Sequence, residues 1–373
     1  MTLPSSARGL GQLAIIKSSS NDIPSAIFYY SQSMFYLVPP SNVLQNLRTL
    51  SKQYFTSFLK QISDENTVAI PCANFFDASA LFFSLFFNDI SENPSTGAIF
   101  ETIYEHCIND TRFYLNALNE NLSLKASLLN ITTIFTRSNI DTSNLEENVE
   151  LNLYTTLTKP MSLGYLFVLG LHHCTFLLSY LIEGLPNNLH ALPEKNLPLA
   201  TPALAAICIY IDFYRSHLET LCIKNSHSWS FAEKQLFYDK VSDLLKLSVS
   251  FFNTLAKKMK ILSGIQAEKN NPTFLFTRVA ETGTFVDIKI RENHMFSSIQ
   301  KNLAFTKKTV VYGNSQAESS SGFSFCDVVL SRIFLFLKSF DSSSYLSFVV
   351  SFDAEKLELF FSDDLSTLGL SRN

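Results

Sequence analysis

Apolar positions recur at three- and four-residue spacing from the start of the chain. In residues 7–18 (ARGLGQLAIIKS), Leu10, Leu13 and Ala14 fall on one face of a helix. The run SSNDIPS offers capping residues and a proline near a helix start, and 24–38 (PSAIFYYSQSMFYLV) follows as a second helix. Pro39 and Pro40 stop it, and Ser41 caps a third helix running to about Ile62. Further helices are predicted over 72–89, 97–119, 123–138, 144–158 and 160–184. A loop from Gly184 to Pro202 carries Pro186, Pro193, Pro198 and Pro202, which argues against helix throughout it. Two long helices then read over 202–224 and 230–263.

The pattern changes after Gly264. Residues 273–279 (TFLFTRV) and 284–290 (TFVDIKI) have β-branched and aromatic bias with partial alternation around Glu281-Thr282-Gly283, the signature of a hairpin. Residues 307–312 read as a strand, 313–321 as a loop and 325–340 as an apolar helix, while 343–361 fits neither period. The expected fold class is all-α, with a small β element near the C-terminus. It divides into a helical opening over 1–66, a helical array over 67–263 and a mixed segment over 264–373.

Composition narrows the function classes. The chain is 46% hydrophobic and 17% charged over 373 residues, enough to bury a sizeable core. It has 11 glycines and no Gly-rich phosphate loop, which weighs against Walker-type nucleotide enzymes and Rossmann dehydrogenases. Net charge is -4, so nucleic-acid affinity would need a local basic patch. The six cysteines (72, 107, 174, 208, 222 and 326) form no CxxC pair and are expected to be reduced and buried, as in a nuclear or cytoplasmic protein. The N-terminal stretch has too short an apolar core for a secretion signal. Residues 161–182 carry no formal charge and are long enough to cross a bilayer. His172 and His173 at their centre suit a buried core helix instead, and both readings stand at this point.

Few constellations suggest chemistry. His172-His173-Cys174 gathers metal-capable side chains, but helix neighbours point about 100° apart and the spacing fits no zinc pattern. Asp353, Glu355, Glu358, Asp363 and Asp364 make an acidic C-terminal stretch that reads as a solvated face or turn. With no GxSxG nucleophile elbow, no enzyme and no cofactor are expected. The candidate binding site is basic: Lys257, Lys258 and Lys260, then Arg278, Lys289, Arg291, Lys307 and Lys308, interleaved with phenylalanines. Positive charge with stacking faces is what single-stranded RNA or DNA requires.

The opening string is more specific. With Ala26 as the small residue of the second helix, Leu10, Leu13 and Ala14 take the packing positions of a tetratricopeptide repeat's first helix. Tyr30 then takes the aromatic position, Ser33 the next small one and Val38-Pro39 the close. Through Gln12, Leu13, Ala14, Ile15, Ala26, Phe28, Tyr29, Tyr30, Ser33, Pro39, Asn46 and Leu47 it resembles the repeat of the EST/SMG family, the telomerase-associated and nonsense-mediated-decay scaffold proteins. Leu10 and Gln32 depart from that family's tyrosine and arginine. Weaker echoes are Thr201-Pro202-Ala203 with Ile211-Asp212-Phe213, Leu244 to Asn253, and Ser362 to Leu370.

The resemblance implies a tetratricopeptide-like repeat followed by an α-solenoid-like array. It further implies a non-enzymatic scaffold in telomere maintenance or mRNA decay, nuclear or cytoplasmic, with protein partners from a ribonucleoprotein or decay complex and with RNA or single-stranded DNA. Tyr29, Tyr30 and Gln12 are assigned to repeat packing. In the family, helices ahead of the repeat supply basic residues for a phosphopeptide. Here only Arg8 and Lys17 lie nearby, so phosphoserine recognition is not carried over, and there is no room for the nuclease domain of some members. The alternatives are a protein-only adaptor and a membrane protein spanning 161–182.

Overall fold

The computed structural model describes residues 6–36, 39–64, 72–87, 94–138, 161–184, 197–225, 231–256, 276–277, 279–280, 283–284, 310–311, 325–340, 348–353 and 358–363. They are mostly helical, with a two-stranded antiparallel sheet near the C-terminus. The chain divides into two compact units: Met1–Gly170 with Lys289–Ser298, and Leu171–Ile288 with Ile299–Asn373. The expected boundaries near 66 and 263 fall outside the described residues.

The first unit is built around α2 (Ile23–Met34), α4 (Phe75–Phe87) and α7 (Ser123–Ser138), which pack on one another. Each is buried along nearly its whole described circumference, Ser25–Ser33 without a break. A helix buried on every side must hide its polar residues too. Here hydroxyls bond to carbonyls one turn back: Ser79 to Phe75, Ser84 to Ala80, Thr132 to Leu128 and Thr133 to Leu129, at 2.7–2.8 Å. Around this centre lie amphipathic helices: α1 (Ala7–Ser19), α3 (Val43–Asp64), α5 (Pro94–Asn109) and α6 (Arg112–Asn119). Helix α1 buries Ala7, Leu10, Gly11 and Ala14; of the expected stripe, Leu10 and Ala14 are buried and Leu13 is half-buried.

Two connections use one device. After α1, Asn21 has φ 60°, its N–H bonds to Ser18 O, and the Asp22 N–H reaches Lys17 O. After α6, Asn121 has φ 57°, its N–H bonds to Leu118 O, and the Leu122 N–H reaches Ala117 O. Both are Schellman turns with asparagine in the left-handed position usually held by glycine. Asp22 then caps α2 by accepting from Ser25 N–H. Helix α4 starts on a reciprocal pair: Asn74 Oδ1 accepts from Asp77 N–H, and Asp77 Oδ2 accepts from Ala73 N–H.

Several sequence expectations are corrected in the helices. The second helix ends at Met34, not 38, because its last turn tightens through i−3 bonds at Phe35 and Tyr36 ahead of Pro39-Pro40. The helix expected over 97–119 is two, broken at Asp110-Thr111. The Asp110 carboxylate accepts from both the N–H and the guanidinium of Arg112, a local turn that restarts the chain as α6. The helix expected over 144–158 lies outside the described residues.

The second unit holds the later part of α8 (Met161–Gly184), then α9 (Leu197–Asn225), α10 (Phe231–Ala256) and α11 (Phe325–Lys338). Helix α9 starts five residues earlier than expected and contains Pro198 and Pro202. Pro198 lies in the first turn, where amides have no helical acceptor, and Pro202 forgoes a single bond. Strands β1 (Gly283–Thr284) and β2 (Val310–Val311) pair in parallel, so among the described residues Thr284 pairs with Val311 and not with the expected hairpin partner; residues 285–290 lie outside the described residues. Phe276, Val279 and Ala280 are helical and buried; their i, i+3, i+4 spacing outweighs the β bias of their composition.

The ambiguous stretch 343–361 contributes to a hairpin: β3 (Phe348–Asp353) and β4 (Glu358–Asp363), antiparallel with Val350 opposite Phe361. Asp353 and Glu358 flank its turn. Helix α10 holds this hairpin through Asn253, whose amide donates to Leu359 O and accepts from Leu359 N–H, both at 2.9 Å. Phe252, Phe276, Phe334 and Phe352 form the aromatic core beneath, with Phe276 and Phe334 stacked at 4.0 Å.

Candidate functional site

The basic residues expected to contact nucleic acid (Lys257, Lys258, Lys260, Arg278, Lys289, Arg291, Lys307 and Lys308) all lie outside the described residues. What the structure assembles instead is a group of perturbed charges at one end of the first unit. Helices α2 and α7 run parallel: Lys125 near the start of α7 meets Phe28 and Tyr29, and Gln32 further along α2 donates to Thr132 at 2.9 Å. Helix α4 enters beside them, with Phe76 edge-on to Phe28 at 6.0 Å. The N-terminal turns of all three helices therefore gather together.

Lys125 is the unusual member. Its ammonium stands 5.2 Å from the Tyr29 ring centroid, 5.5 Å from Phe76 and 5.8 Å from Phe28, and the residue is 5% exposed. It makes no hydrogen bond or ion pair among the described residues. Three ring faces offer cation–π attraction. Burial lowers its pKa to about 8, with Asp22 pulling upward and Lys17 pushing down. Lys17 bonds Asp22 at 2.9 Å, and both stay more than a third exposed at the rim. Burial alone would raise Asp22, yet bonds from Lys17 and Ser25 leave it below the ordinary carboxylate range. Asp77 is pushed up to about 6, by burial first and then by Glu120 and Asp22. Glu120 accepts from the Asn74 amide at 3.1 Å.

The second unit carries buried polar pairs. His173 is fully buried, its Nδ1 3.2 Å from the Tyr210 hydroxyl, and burial takes its pKa down to about 3. His172 is lowered to about 4 by burial and by Lys240. Cys174 is buried and its thiol pushed up, so it is neither thiolate nor nucleophile at neutral pH. The cluster thus sits in the core, where neutral imidazoles and a protonated thiol belong. No three His, Cys, Asp or Glu side chains gather as a metal-binding set among the described residues. Arg332 on α11, 1% exposed, bonds Asp212 on α9 at 3.0 Å.

The residues assigned to repeat packing split. Tyr29 and Tyr30 are buried, but Gln12 is exposed on the outer face of α1, a correction. Sequence reasoning missed Lys125, because one lysine in Ser-Leu-Lys-Ala-Ser looks like a solvated face until its neighbours are known. Residues 165–183 form a helix long and apolar enough to cross a membrane, yet 56% of that window is buried within protein. No protein-family model and no curated protein matches this chain.

Proposed function

We infer that this chain is a non-enzymatic helical scaffold of tetratricopeptide-like type that binds other macromolecules, with a role like that of telomerase-accessory or nonsense-mediated-decay factors. The observation that carries the reading is the packing of the first helix pair. Ala26 and Ser33 are fully buried where α2 crosses α1, and Ser33 donates to Ala7 O at 2.8 Å. A Cβ at Gly11 would lie 3.9 Å from Ser33 Oγ and 3.7 Å from Pro40. Small residues at a crossing, with larger apolar ones between, are the mark of stacked helical hairpins. Such arrays present long surfaces to partners and need no reactive residue. RNA or single-stranded DNA contact is assigned to the Lys257–Lys308 stretch, and the chain to the nucleus or cytoplasm.

The test is a gentle purification of the tagged chain from its native cell, with mass spectrometry and RNA sequencing on one eluate. Telomerase protein with its RNA assigns the telomere role; helicase with decapping or deadenylation factors assigns mRNA decay. A partner set with neither overturns the functional reading. Charge reversal at Lys257, Lys258 and Lys260 is expected to weaken nucleic-acid binding and flatten its salt dependence. Unchanged binding removes that patch and favours a protein-only adaptor. A membrane reading rests on the apolar window at 165–183 by length and composition alone, and retention after alkaline carbonate washing would support it.

A further inference from the structure

Helix α3 turns a face of one charge sign to the outside. Its inner side buries Val43, Leu47, Leu50, Phe55 and Phe58, which fixes the remaining positions outward. The outer side carries Gln45, Arg48, Lys52, Gln53, Thr56 and Lys60, all exposed. Arg48, Lys52, Thr56 and Lys60 follow at four-residue steps, so they line up as one shallow stripe. From Arg48 to Lys60 the stripe is about 18 Å long. The helix has a single carboxylate, Asp64, as its last residue. The side chains of Arg48, Lys52 and Lys60 make no ion pair or hydrogen bond among the described residues. Arg48 and Lys52 are like charges one turn apart, and they repel each other unless an anion lies between them. The chain as a whole has a net charge of -4, so this face is not the local expression of a basic protein.

The chemistry of the face selects its partner. A helix that lies on a membrane needs large apolar residues beside its cations to enter the headgroup boundary. Among the described residues of α3, no large hydrophobic side chain is exposed. A protein interface is anchored by aromatic or aliphatic side chains at its centre, and the same absence leaves none here. What the face offers is a line of positive charge with amide donors at its side. That suits a polyanion whose charges recur along a chain. We propose that the outer face of α3 docks the phosphate backbone of nucleic acid through Arg48, Lys52 and Lys60, with the Gln45 and Gln53 amides as donors beside them. Without an exposed ring to stack on bases, the face contributes affinity and no sequence preference. The proposal rests on the reading of the chain as a nucleic-acid-contacting scaffold, and adds a surface separate from the Lys257–Lys308 stretch.

The experiment uses the full chain and a fluorescein-labelled oligothymidine of about 20 nucleotides, read by fluorescence anisotropy between about 50 and 200 mM salt. Binding by the parent is expected to weaken steeply as salt rises. The triple variant Arg48→Gln, Lys52→Gln and Lys60→Gln removes three charges and keeps good helix formers. It is expected to bind at least about tenfold more weakly at the lowest salt, with a log–log salt slope smaller by about 2. All three side chains are exposed, so its urea midpoint is expected to match the parent's. Should the triple variant not fold, Lys52→Gln alone is expected to lower the slope by about 0.7. Arg48→Lys, which keeps the charge, is expected to leave the slope unchanged. An unchanged slope in the charge-removing variants overturns the α3 surface and leaves the Lys257–Lys308 stretch as the contact. No binding by the parent overturns both nucleic-acid assignments and leaves a protein-only adaptor. Tighter capture of the parent by phosphatidylserine-containing vesicles than by the oligonucleotide overturns the proposal in favour of a membrane surface.

Discussion

Replacing Asp212 by asparagine keeps the shape of the side chain and removes its charge. The partner, Arg332, is 1% exposed and cannot lose its proton, so its buried charge then lacks the carboxylate 3.0 Å away. At 3.0 Å the pair's attraction is about 5 kcal/mol at an effective dielectric of about 20. Breaking such a pair typically costs about 3–5 kcal/mol. We therefore expect Asp212→Asn to lower the unfolding free energy by about that amount. The double variant Asp212→Leu with Arg332→Met, which removes both charges, should come within about 1 kcal/mol of the parent or exceed it. Urea denaturation of the parent, Asp212→Leu, Arg332→Met and the double variant gives the coupling energy directly. A loss below about 1 kcal/mol for Asp212→Asn would show that water or another group compensates Arg332, and the reasoning would fail.

Three further outcomes are expected. The folded pKa of Asp77, about 6, lies above its ordinary value of 3.8, so its ionised form is a cost at pH 7 that is relieved as pH falls through that range. Asp77→Asn should stabilise the chain by about 1–3 kcal/mol at pH 7 and by nothing near pH 3.5, as measured by denaturation at both pH values. Asn21→Gly should stabilise by up to about 1 kcal/mol, because glycine adopts the left-handed conformation more readily than asparagine; a lower thermal midpoint would contradict the turn geometry. Ser33→Ala should cost about 1 kcal/mol by removing the buried hydroxyl's bond to Ala7 O, seen as a lower urea midpoint with an unchanged slope.

Local signals carried much of the fold. SSND announces a helix end through capping residues, and it proved to be a Schellman turn; the same asparagine device at Asn121 was visible only once φ was known. The period-3.6 stripe of α1 was legible because one face meets water. Helices α4 and α9, buried all round, show no stripe, and their composition alone gave their existence but not their starts. The break at Asp110 escaped because the apolar period continues across it, while the Asp110 carboxylate takes the Arg112 N–H and restarts the helix there. Neither the Arg332–Asp212 pair, 120 residues apart, nor the ring of Phe28, Tyr29 and Phe76 around Lys125 leaves any mark in local periodicity. These charged contacts belong to tertiary geometry, where one lysine in five residues says nothing.

The bidentate amide of Asn253 has a consequence for solubility. A two-stranded hairpin exposes an unpaired edge, and such an edge invites another chain to add a strand. Asn253 fills both outward-facing hydrogen-bonding positions of Leu359, so a helix side chain does locally what a third strand would do. A foreign strand would have to displace it before gaining register there. The same side chain that fastens the hairpin to α10 thus guards β4 against intermolecular β-pairing, and Asn253→Ala should aggregate sooner than the parent at equal stability.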